Sequence, residues 1–276
     1  MARWPAFIFA AVSILWTCGA MAATLEVFHA DSLAGPLAQI KQAYEAKQPG
    51  TTITLTGGTS RQLADRILKG EPCDLFAPSS PAIANELVTK NAATWSIVFS
   101  ANEMVVITRK GNPHDIHGIA DLAKPDLKFV RITGEKDLGT GRTVEFLNRA
   151  AKAEGKPELA QQVVEKAPDD PAKPNSVPAT VAAVREGKAD AGIVYYSAAM
   201  AARNDIEIVR FPARVNLSEA IQNAVTVPGT AKNPKEAVEL VRFILSSEGQ
   251  DILAKAGQPP IVPPTRKGNL PAQLAN

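Results

Sequence analysis

Short apolar runs typical of β-strands alternate with stretches of helical periodicity along most of this chain. Strand-like runs occupy residues 24–28, 51–55 and 74–77, and the intervals between them carry helical patterns at residues 33–47 and 60–68. Strands that alternate with helices of this length predict βαβ units, in which successive strands lie parallel in one sheet. The pattern therefore predicts an α/β fold with mixed, mostly parallel sheets flanked by helices.

A second series of alternating segments surrounds a break at Gly111, Asn112 and Pro113. Glycine and proline in such a cluster interrupt regular structure, so the break indicates a loop. The series contains strand-like runs at residues 103–108, 129–132 and 191–196. Helical patterns lie between the last two of these runs, at residues 143–153 and 177–186. The same α/β alternation thus occurs twice in the chain.

The end of the chain is predicted to fold back onto its beginning. A strand-like run at residues 221–227 is followed by helical patterns at residues 234–245 and 247–256. A chain that builds a second lobe and returns crosses between the lobes twice, and two crossings form a hinge. We predict two lobes with a ligand cleft between them, one from residues 23–102 and 223–276 and the other from residues 103–222.

The first 22 residues have the pattern of a secretion signal. Arg3 supplies a basic start, residues 7–15 are mainly apolar, and Ala20-Met21-Ala22 forms a small-residue cleavage site. The apolar run is shorter than the roughly 20 residues of a membrane-spanning helix. We predict that residues 1–22 are a signal peptide and that the mature protein is periplasmic.

Two cysteines bear on this prediction. Cys18 lies in a sequence that loosely resembles a lipoprotein acylation site, so lipidation remains open. Removal of the signal leaves Cys73 alone, and a single cysteine forms no internal disulfide. Because Cys73 lies beside a strand-like run, we predict a packed structural residue rather than a reactive thiol.

Composition narrows the class of function. A hydrophobic content of 45% and a charged content of 21% are ordinary for a globular protein, and a net charge of +2 does not indicate nucleic acid as a partner. The three histidines lack the cysteines or carboxylates of a zinc site. The segment around Ser60 lacks the second glycine of a hydrolase nucleophile elbow. We therefore predict a binding protein without a cofactor rather than an enzyme, and we expect it to be a monomer.

Small hydroxyl residues occur where predicted strands end or helices begin. Ser32 follows the first strand, Ser60 follows the second, and Thr140 precedes a helix of the second lobe. Free backbone N–H groups and the positive end of the helix dipole make such junctions anion-binding sites. Each hydroxyl is alternatively an ordinary helix cap. Three junctions facing one cleft favour an anion site, and Val177 before Pro178 gives a fourth candidate.

These segments together resemble the periplasmic molybdate- and tungstate-binding proteins of ABC importers, which are type II periplasmic binding proteins. The resemblance spans nearly all of the mature chain. It rests on Asp31-Ser32-Leu33, on Ser60 with residues 66–76, on Gly192-Ile193-Val194-Tyr195, on Tyr196-Ser197-Ala198-Ala199 and on Val215-Asn216-Leu217-Ser218. It implies a two-lobed fold that captures molybdate or tungstate and delivers it to a membrane permease. It further implies that the oxyanion is held by the hydroxyls of Ser32, Ser60 and Tyr195 and by the backbone amides of Thr140 and Val177, with the Thr140 hydroxyl as an alternative donor.

Four positions depart from the pattern of this family. Leu138 and Val194 stand where the six-coordinate tungstate-type proteins carry carboxylates, although Asp137 lies one residue away. Thr140 replaces a smaller apolar residue, and Arg142 follows it closely. The departures favour a hydrogen-bonded tetrahedral anion and leave a sulfate-like ligand open. A ferric ligand and a secreted hydrolase that uses Ser60 are the remaining alternatives.

Overall fold

The computed structural model describes residues 23–134, 137–170 and 175–275, and the predictions for residues 1–22, including Cys18, lie outside these ranges. The strands follow the chain as β1 Ala23–Ala30, β2 Thr51–Gly58, β3 Leu75–Ala77, β4 Trp95–Ala101, β5 Met104–Arg109, β6 Phe129–Arg131, β7 Ala191–Tyr195, β8 Ile206–Val209, β9 Gln222–Val225 and β10 Pro260–Gly268. The helices are α1 Ala34–Lys47, α2 Ser60–Leu68, α3 Pro81–Thr89, α4 Ile119–Leu122, α5 Leu138–Ala153, α6 Glu158–Lys166, α7 Val177–Arg185, α8 Tyr196–Ala201, α9 Ala213–Asn216, α10 Pro234–Leu245 and α11 Ser247–Lys255.

The first strands of the chain form a parallel sheet in the order β2-β1-β3. Their carboxyl ends lie at one edge, which is where open α/β sheets bind ligands. An antiparallel bridge between Phe76 and Thr226 links β3 to β9, and β9, β4 and β10 form an antiparallel sheet beyond it. The sheet edge that carries Ser32 and Ser60 is therefore set by the βαβ units that the sequence predicts.

The middle of the chain forms a separate four-stranded sheet in the order β6-β7-β5-β8. Only β6 and β7 pair in parallel, while β5 pairs antiparallel with both β7 and β8. The mixed α/β architecture predicted from the sequence is confirmed. The predicted predominance of parallel pairing holds in the first sheet but not in this one, where two of the three pairings are antiparallel. Tyr195 ends β7 and points its side chain into a buried position.

The hydrophobic cores divide along the chain. One core cluster draws its buried residues from Leu25 to Phe99 and again from Val225 to Leu274. Another draws all of its buried residues from Met104 to Ile221. Burial of apolar surface in each cluster stabilises the sheet and the helices that surround it. The chain passes between the two cores near Ala101 and again near Gln222.

Strand β10 is absent from the sequence prediction because prolines interrupt it at positions 260, 263 and 264. Proline lacks the N–H that a central strand donates, so it is confined to edge strands. The structure places β10 at an edge, paired only with β4 in its sheet. The absence of a second neighbour makes the missing donors tolerable.

Cys73 is buried, and its thiol donates to the backbone oxygen of Leu75 over 3.2 Å. Burial raises the pKa of the thiol to about 12. A thiol that stays protonated is a poor nucleophile. The prediction of a packed structural cysteine is confirmed.

Within the described ranges, no helix combines the length and the apolar character needed to cross a membrane.

Candidate ligand-binding site

A small cavity lies where the carboxyl ends of β1, β2 and β3 face the starts of α5 and α7 and the end of β7. About 20 Å³ is open to the centre of a water molecule, and one water requires roughly 10–15 Å³ by the same kind of measure. The cavity therefore leaves no room for a large ligand. Four of the five predicted residues line it, namely Ser32, Ser60, Val177 and Tyr195.

Ser32 is held at the cavity through its backbone. It lies in the short 3-10 helix Asp31–Leu33 after β1 and is only 5% exposed. Its backbone oxygen accepts hydrogen bonds from Ser197 Oγ at 2.7 Å and from Gln258 Nε2 at 3.1 Å. The Ser32 hydroxyl has no hydrogen-bond partner among the residues that the structure describes. It is free to donate to a ligand.

Ser60 is the first residue of α2 but is not the cap of that helix. The cap is Thr59, whose hydroxyl oxygen accepts from Gln62 N at 3.4 Å. The Ser60 hydroxyl instead accepts from Ser79 N at 3.1 Å and lies 3.3 Å from Ser79 Oγ. One of the two hydroxyl protons makes the hydrogen bond between Ser60 and Ser79, and the other remains available to a ligand. Ordinary capping does not explain this serine.

Ser79 is a lining residue that the sequence analysis missed. It follows β3, and β3 is the third parallel strand of the same sheet. Ser32, Ser60 and Ser79 thus occupy equivalent positions, each shortly after a strand of this sheet. The predicted strand at residues 74–77 was a sufficient signal, because a serine two residues beyond it had to reach the same edge.

Tyr195 closes the cavity from the opposite side. Its hydroxyl oxygen accepts a hydrogen bond from Arg142 Nη1 at 3.0 Å, and the side chain is 3% exposed. Burial raises the pKa of Tyr195, which keeps the phenol protonated. Because the oxygen accepts from Arg142, the phenolic proton is left to donate elsewhere. The structure thus gives Tyr195 a polar environment beyond simple packing.

Val177 begins α7, so its N–H belongs to the first turn, where no intrahelical acceptor exists. The Ser176 hydroxyl oxygen accepts from Ala179 N at 3.3 Å, and Pro178 has no N–H. These two facts leave the Val177 amide as the donor at this helix start. Its place on the cavity wall agrees with the predicted backbone role.

Thr140 does not line the cavity. Its hydroxyl donates to Gly134 O at 2.9 Å, and its amide donates to Asp137 O at 3.1 Å. Asp137 caps α5 by accepting from Gly139 N at 2.7 Å, so the helix begins at Leu138 instead of position 143. Thr140 therefore lies inside the first turn with both donors already used. The early cap explains why the structure does not bring Thr140 together with the other four residues.

Leu138 and Val194, the two positions that carry carboxylates in the tungstate-type proteins, also differ in whether they line the cavity. Leu138 lines the cavity, whereas Val194 is fully buried in a hydrophobic cluster with Val105 and Ile107. Neither side chain has an oxygen that could coordinate a metal. Asp137, one residue from Leu138, does reach the cavity wall.

The cavity also carries two carboxyl groups, whereas the predicted site consists of hydroxyl and backbone amide donors. Asp31 and Asp137 both line it. Burial raises the pKa of Asp31, partly offset by His29. Burial also raises the pKa of Asp137, with the charge of Asp31 adding to the rise and Gly139 N and Arg142 opposing it. Each carboxyl group therefore holds a proton more readily than an exposed aspartate, and a protonated carboxyl donates rather than repels.

A family model described as "Bacterial extracellular solute-binding protein" matches residues 25–258. The chain belongs to this family. The matched residues include every part of the cavity wall, from Ala30 to Tyr195. The whole cavity of this solute-binding protein therefore lies within the segment that the family model matches.

Several proteins similar to this solute-binding protein are named for the oxyanion that they bind. The molybdate-binding protein ModA of Mycobacterium tuberculosis is 27% identical over 237 residues, which cover 86% of this chain and 84% of the relative. The molybdate/tungstate-binding protein WtpA of Pyrococcus abyssi is 23% identical, and the aligned region covers 93% of this chain and 90% of WtpA. The structure of the sulfate-binding protein SubI from M. tuberculosis superimposes with a TM-score of 0.71 at 19% identity, covering 87% of this chain and 88% of that one. This last likeness establishes the common fold.

The surroundings of Ser60 and the distribution of metal-ligating side chains bear on the hydrolase and ferric-ion alternatives. The Ser60 hydroxyl bonds to Ser79, and within the described ranges no histidine or carboxylate hydrogen-bonds to it. The same ranges contain no group of three metal-ligating His, Cys, Asp or Glu side chains. His117 lies in the exposed loop after β5 and pairs with Asp115 at 2.7 Å.

Proposed function

We propose that this protein captures molybdate or tungstate in the cavity between its two sides and delivers the oxyanion to the membrane permease of an ABC importer. One observation carries the proposal: hydroxyl protons from both sides converge on one small cavity without acceptors of their own. Ser32 and the Ser60–Ser79 pair contribute from the β1–β3 edge, and Tyr195 contributes from the end of β7. A tetrahedral oxyanion supplies acceptor oxygens in several directions at once, which matches such a set of donors.

The magnitudes support a bound anion without a metal or a cofactor. Micromolar affinity requires about 8 kcal/mol. A hydrogen bond to a charged group contributes roughly 1.5–3 kcal/mol, so four such bonds contribute roughly 6–12 kcal/mol. Three hydroxyl protons and the Val177 amide make up four donors. The start of α7 adds roughly 0.3–1 kcal/mol through its dipole.

Capture by closure follows from the arrangement of the two sides. We propose that residues 23–102 and 223–276 form one lobe and residues 103–222 the other. The separate hydrophobic cores and the two chain crossings support this division. Only when the lobes approach do Ser60 and Tyr195 donate to the same ion, so the anion favours the closed state by its differential affinity.

The remaining parts of the proposal concern place and activity. The family name supports an extracellular position, and we propose that residues 1–22 direct export to the periplasm and are then removed. We also propose that the protein is monomeric. We further propose that it has no enzymatic turnover, since no histidine or carboxylate in the described ranges hydrogen-bonds to Ser60. A chromogenic ester hydrolysed by the purified protein, with loss of turnover in Ser60→Ala, would instead establish the hydrolase alternative.

A thermal shift assay tests the proposal. A ligand that binds only the folded state raises stability by about 2.7 kcal/mol at a concentration 100 times its Kd. Residues 23–276 should therefore melt at a higher temperature in excess molybdate or tungstate than in chloride. A shift with sulfate or ferric citrate but with neither molybdate nor tungstate overturns the ligand assignment.

A further inference from the structure

Two cavity residues on opposite sides are joined by a continuous chain of hydrogen bonds. Arg142 Nη1 donates to the Tyr195 hydroxyl at 3.0 Å, and Arg142 Nη2 donates to the Ser79 backbone oxygen at 2.7 Å. Ser79 N then donates to Ser60 Oγ at 3.1 Å. The chain runs Tyr195–Arg142–Ser79–Ser60 and crosses from α5 to the loop after β3.

We propose that Arg142 is the positioning residue of this site, coupling the Tyr195 and Ser60 donors so that they engage one anion together. The planar guanidinium fork holds two acceptors in a fixed relation, which a flexible ammonium does not do. The inference rests on the proposed function for its ligand. The hydrogen-bond chain itself is a property of the protein alone.

The role of Arg142 follows from what each of its bonds does. Its bond to Tyr195 occupies the phenolic oxygen as an acceptor, which turns the phenolic proton toward the cavity. Its bond to Ser79 anchors the segment whose amide holds the Ser60 oxygen. The guanidinium also lies 5.7 Å from the centre of the Tyr195 ring, in the range of a cation–π contact. Each contact constrains a donor that the anion is proposed to meet.

Charge is the second part of the argument. Asp31 and Asp137 line the cavity, and the positive charge of Arg142 opposes the rise in the pKa of Asp137. His29 interacts electrostatically with Asp31, and burial lowers the pKa of that histidine. Arg142 therefore supplies a positive charge beside a site that otherwise presents two carboxyl groups to an anion. Its removal weakens both the geometry and the electrostatics.

A ligand-free measurement tests the hydrogen-bond chain first. In Arg142→Gln, amide hydrogen exchange at Ser79 should accelerate by roughly tenfold or more, because the segment that carries the amide loses its anchor. Arg149→Gln is the matched control, since Arg149 lies on the same helix and pairs with Glu145 and Glu219 away from the cavity. Equal Ser79 exchange in the wild type and Arg142→Gln overturns the proposal.

Anion titrations with molybdate and tungstate then test the coupling. Contacting residues give non-additive losses, and independent residues give additive ones. In the wild type, the losses of Ser60→Ala and Tyr195→Phe should be non-additive, and in an Arg142→Gln background they should add. Arg142→Gln alone should weaken binding roughly 10- to 150-fold, the equivalent of one hydrogen bond to a charged group, while Arg149→Gln should leave it unchanged. Equal coupling in both backgrounds overturns the proposal.

A conservative variant separates position from folding. Arg142→Lys retains the charge but lacks the fork, so it should recover part of the affinity without restoring the coupling. If Arg142→Gln does not fold, Arg142→Lys carries both measurements. If the wild type binds neither molybdate nor tungstate, the proposed function fails, and Ser79 exchange still decides the role of Arg142. Full affinity and full coupling in Arg142→Lys contradict the positioning role.

Discussion

The two sides of the cavity are built from different chemistry. The β1–β3 edge presents Ser32, Ser60 and Ser79, which are neutral hydroxyls placed after parallel strands. The other side presents Tyr195 with Arg142 behind it, together with helix starts. The first side owes its positions to the regular geometry of βαβ units. The positions on the second side depend on local helix capping and on the contacts of the Arg142 side chain.

This difference suggests a division of labour. Serines at a sheet edge are rigidly placed and supply direction, while the opposite side supplies charge and a donor whose orientation depends on a neighbour. Changes on the first side should therefore act on single hydrogen bonds. Changes on the second side should affect several interactions at once.

Tyr195→Phe should produce the largest loss. It removes a buried donor and leaves Arg142 Nη1 without its acceptor, so affinity should fall by about 1.5–3 kcal/mol. Titration with molybdate or tungstate measures this loss. Tyr196→Phe is the control, because Tyr196 lies next in the chain and does not line the cavity. An equal effect of the two substitutions would remove Tyr195 from the site.

Ser60→Ala tests the first side and should cost roughly 1–3 kcal/mol of binding. The substitution removes one hydroxyl and leaves Ser79 N without its acceptor. Ser96→Ala serves as a control, since Ser96 is also buried and donates to Asn85 Oδ1 at 2.8 Å away from the cavity. Both variants should lose stability, but only Ser60→Ala should lose affinity. Unchanged binding in Ser60→Ala contradicts the role of this side.

The carboxyl groups predict a pH dependence. Because the pKa values of Asp31 and Asp137 are raised in the protein, both hold protons above the pH at which exposed aspartates ionise. As pH rises through these raised values, both groups become anionic, and the affinity for a dianion should fall. Calorimetric titrations at a series of pH values across this range measure how steeply the affinity falls with pH.

The double variant Asp31→Asn with Asp137→Asn should flatten that slope, since neither amide titrates. Asp115→Asn is a suitable control, because Asp115 is an exposed loop residue that pairs with His117. An affinity that rises with pH, or a slope that survives the double substitution, argues against carboxyl groups facing the anion.

Thr140→Val should have the smallest effect on binding, within about 0.5 kcal/mol. The hydroxyl of Thr140 is bonded to Gly134 O, and the side chain does not line the cavity. The measurement sharpens the comparison between the two sides, because the sequence predicts Thr140 as a ligand residue. A loss as large as that of Ser60→Ala would restore Thr140 to the site.

Residues at regular junctions were predictable from the sequence, whereas residues that depend on side-chain competition were not. The bounds of α2 and α10 match the predicted ranges, and Ser32 and Ser60 lie at the expected sheet edge. Thr140 lies outside the cavity wall because Asp137, three residues earlier, is the N-cap residue of α5. Periodicity does not decide which of two capping residues a helix uses.

Long-range contacts were a second limit. The positions of Arg142 and Ser79 become related only when α5 meets the loop after β3, and no local pattern encodes a contact between residues 63 positions apart. Strand β10 was missed because its prolines conceal it, although its edge position tolerates them. These features arise from tertiary packing rather than from local propensity.

Calorimetric titration of residues 23–276 against molybdate, tungstate, sulfate, phosphate and ferric citrate tests the central claim most directly. We expect one anion per protein for molybdate or tungstate, with weaker or no binding of the other three. A convergent set of hydroxyl and amide donors on a small cavity predicts binding of a compact tetrahedral oxyanion. Tight binding of ferric citrate, or of sulfate or phosphate with no binding of molybdate or tungstate, would contradict it.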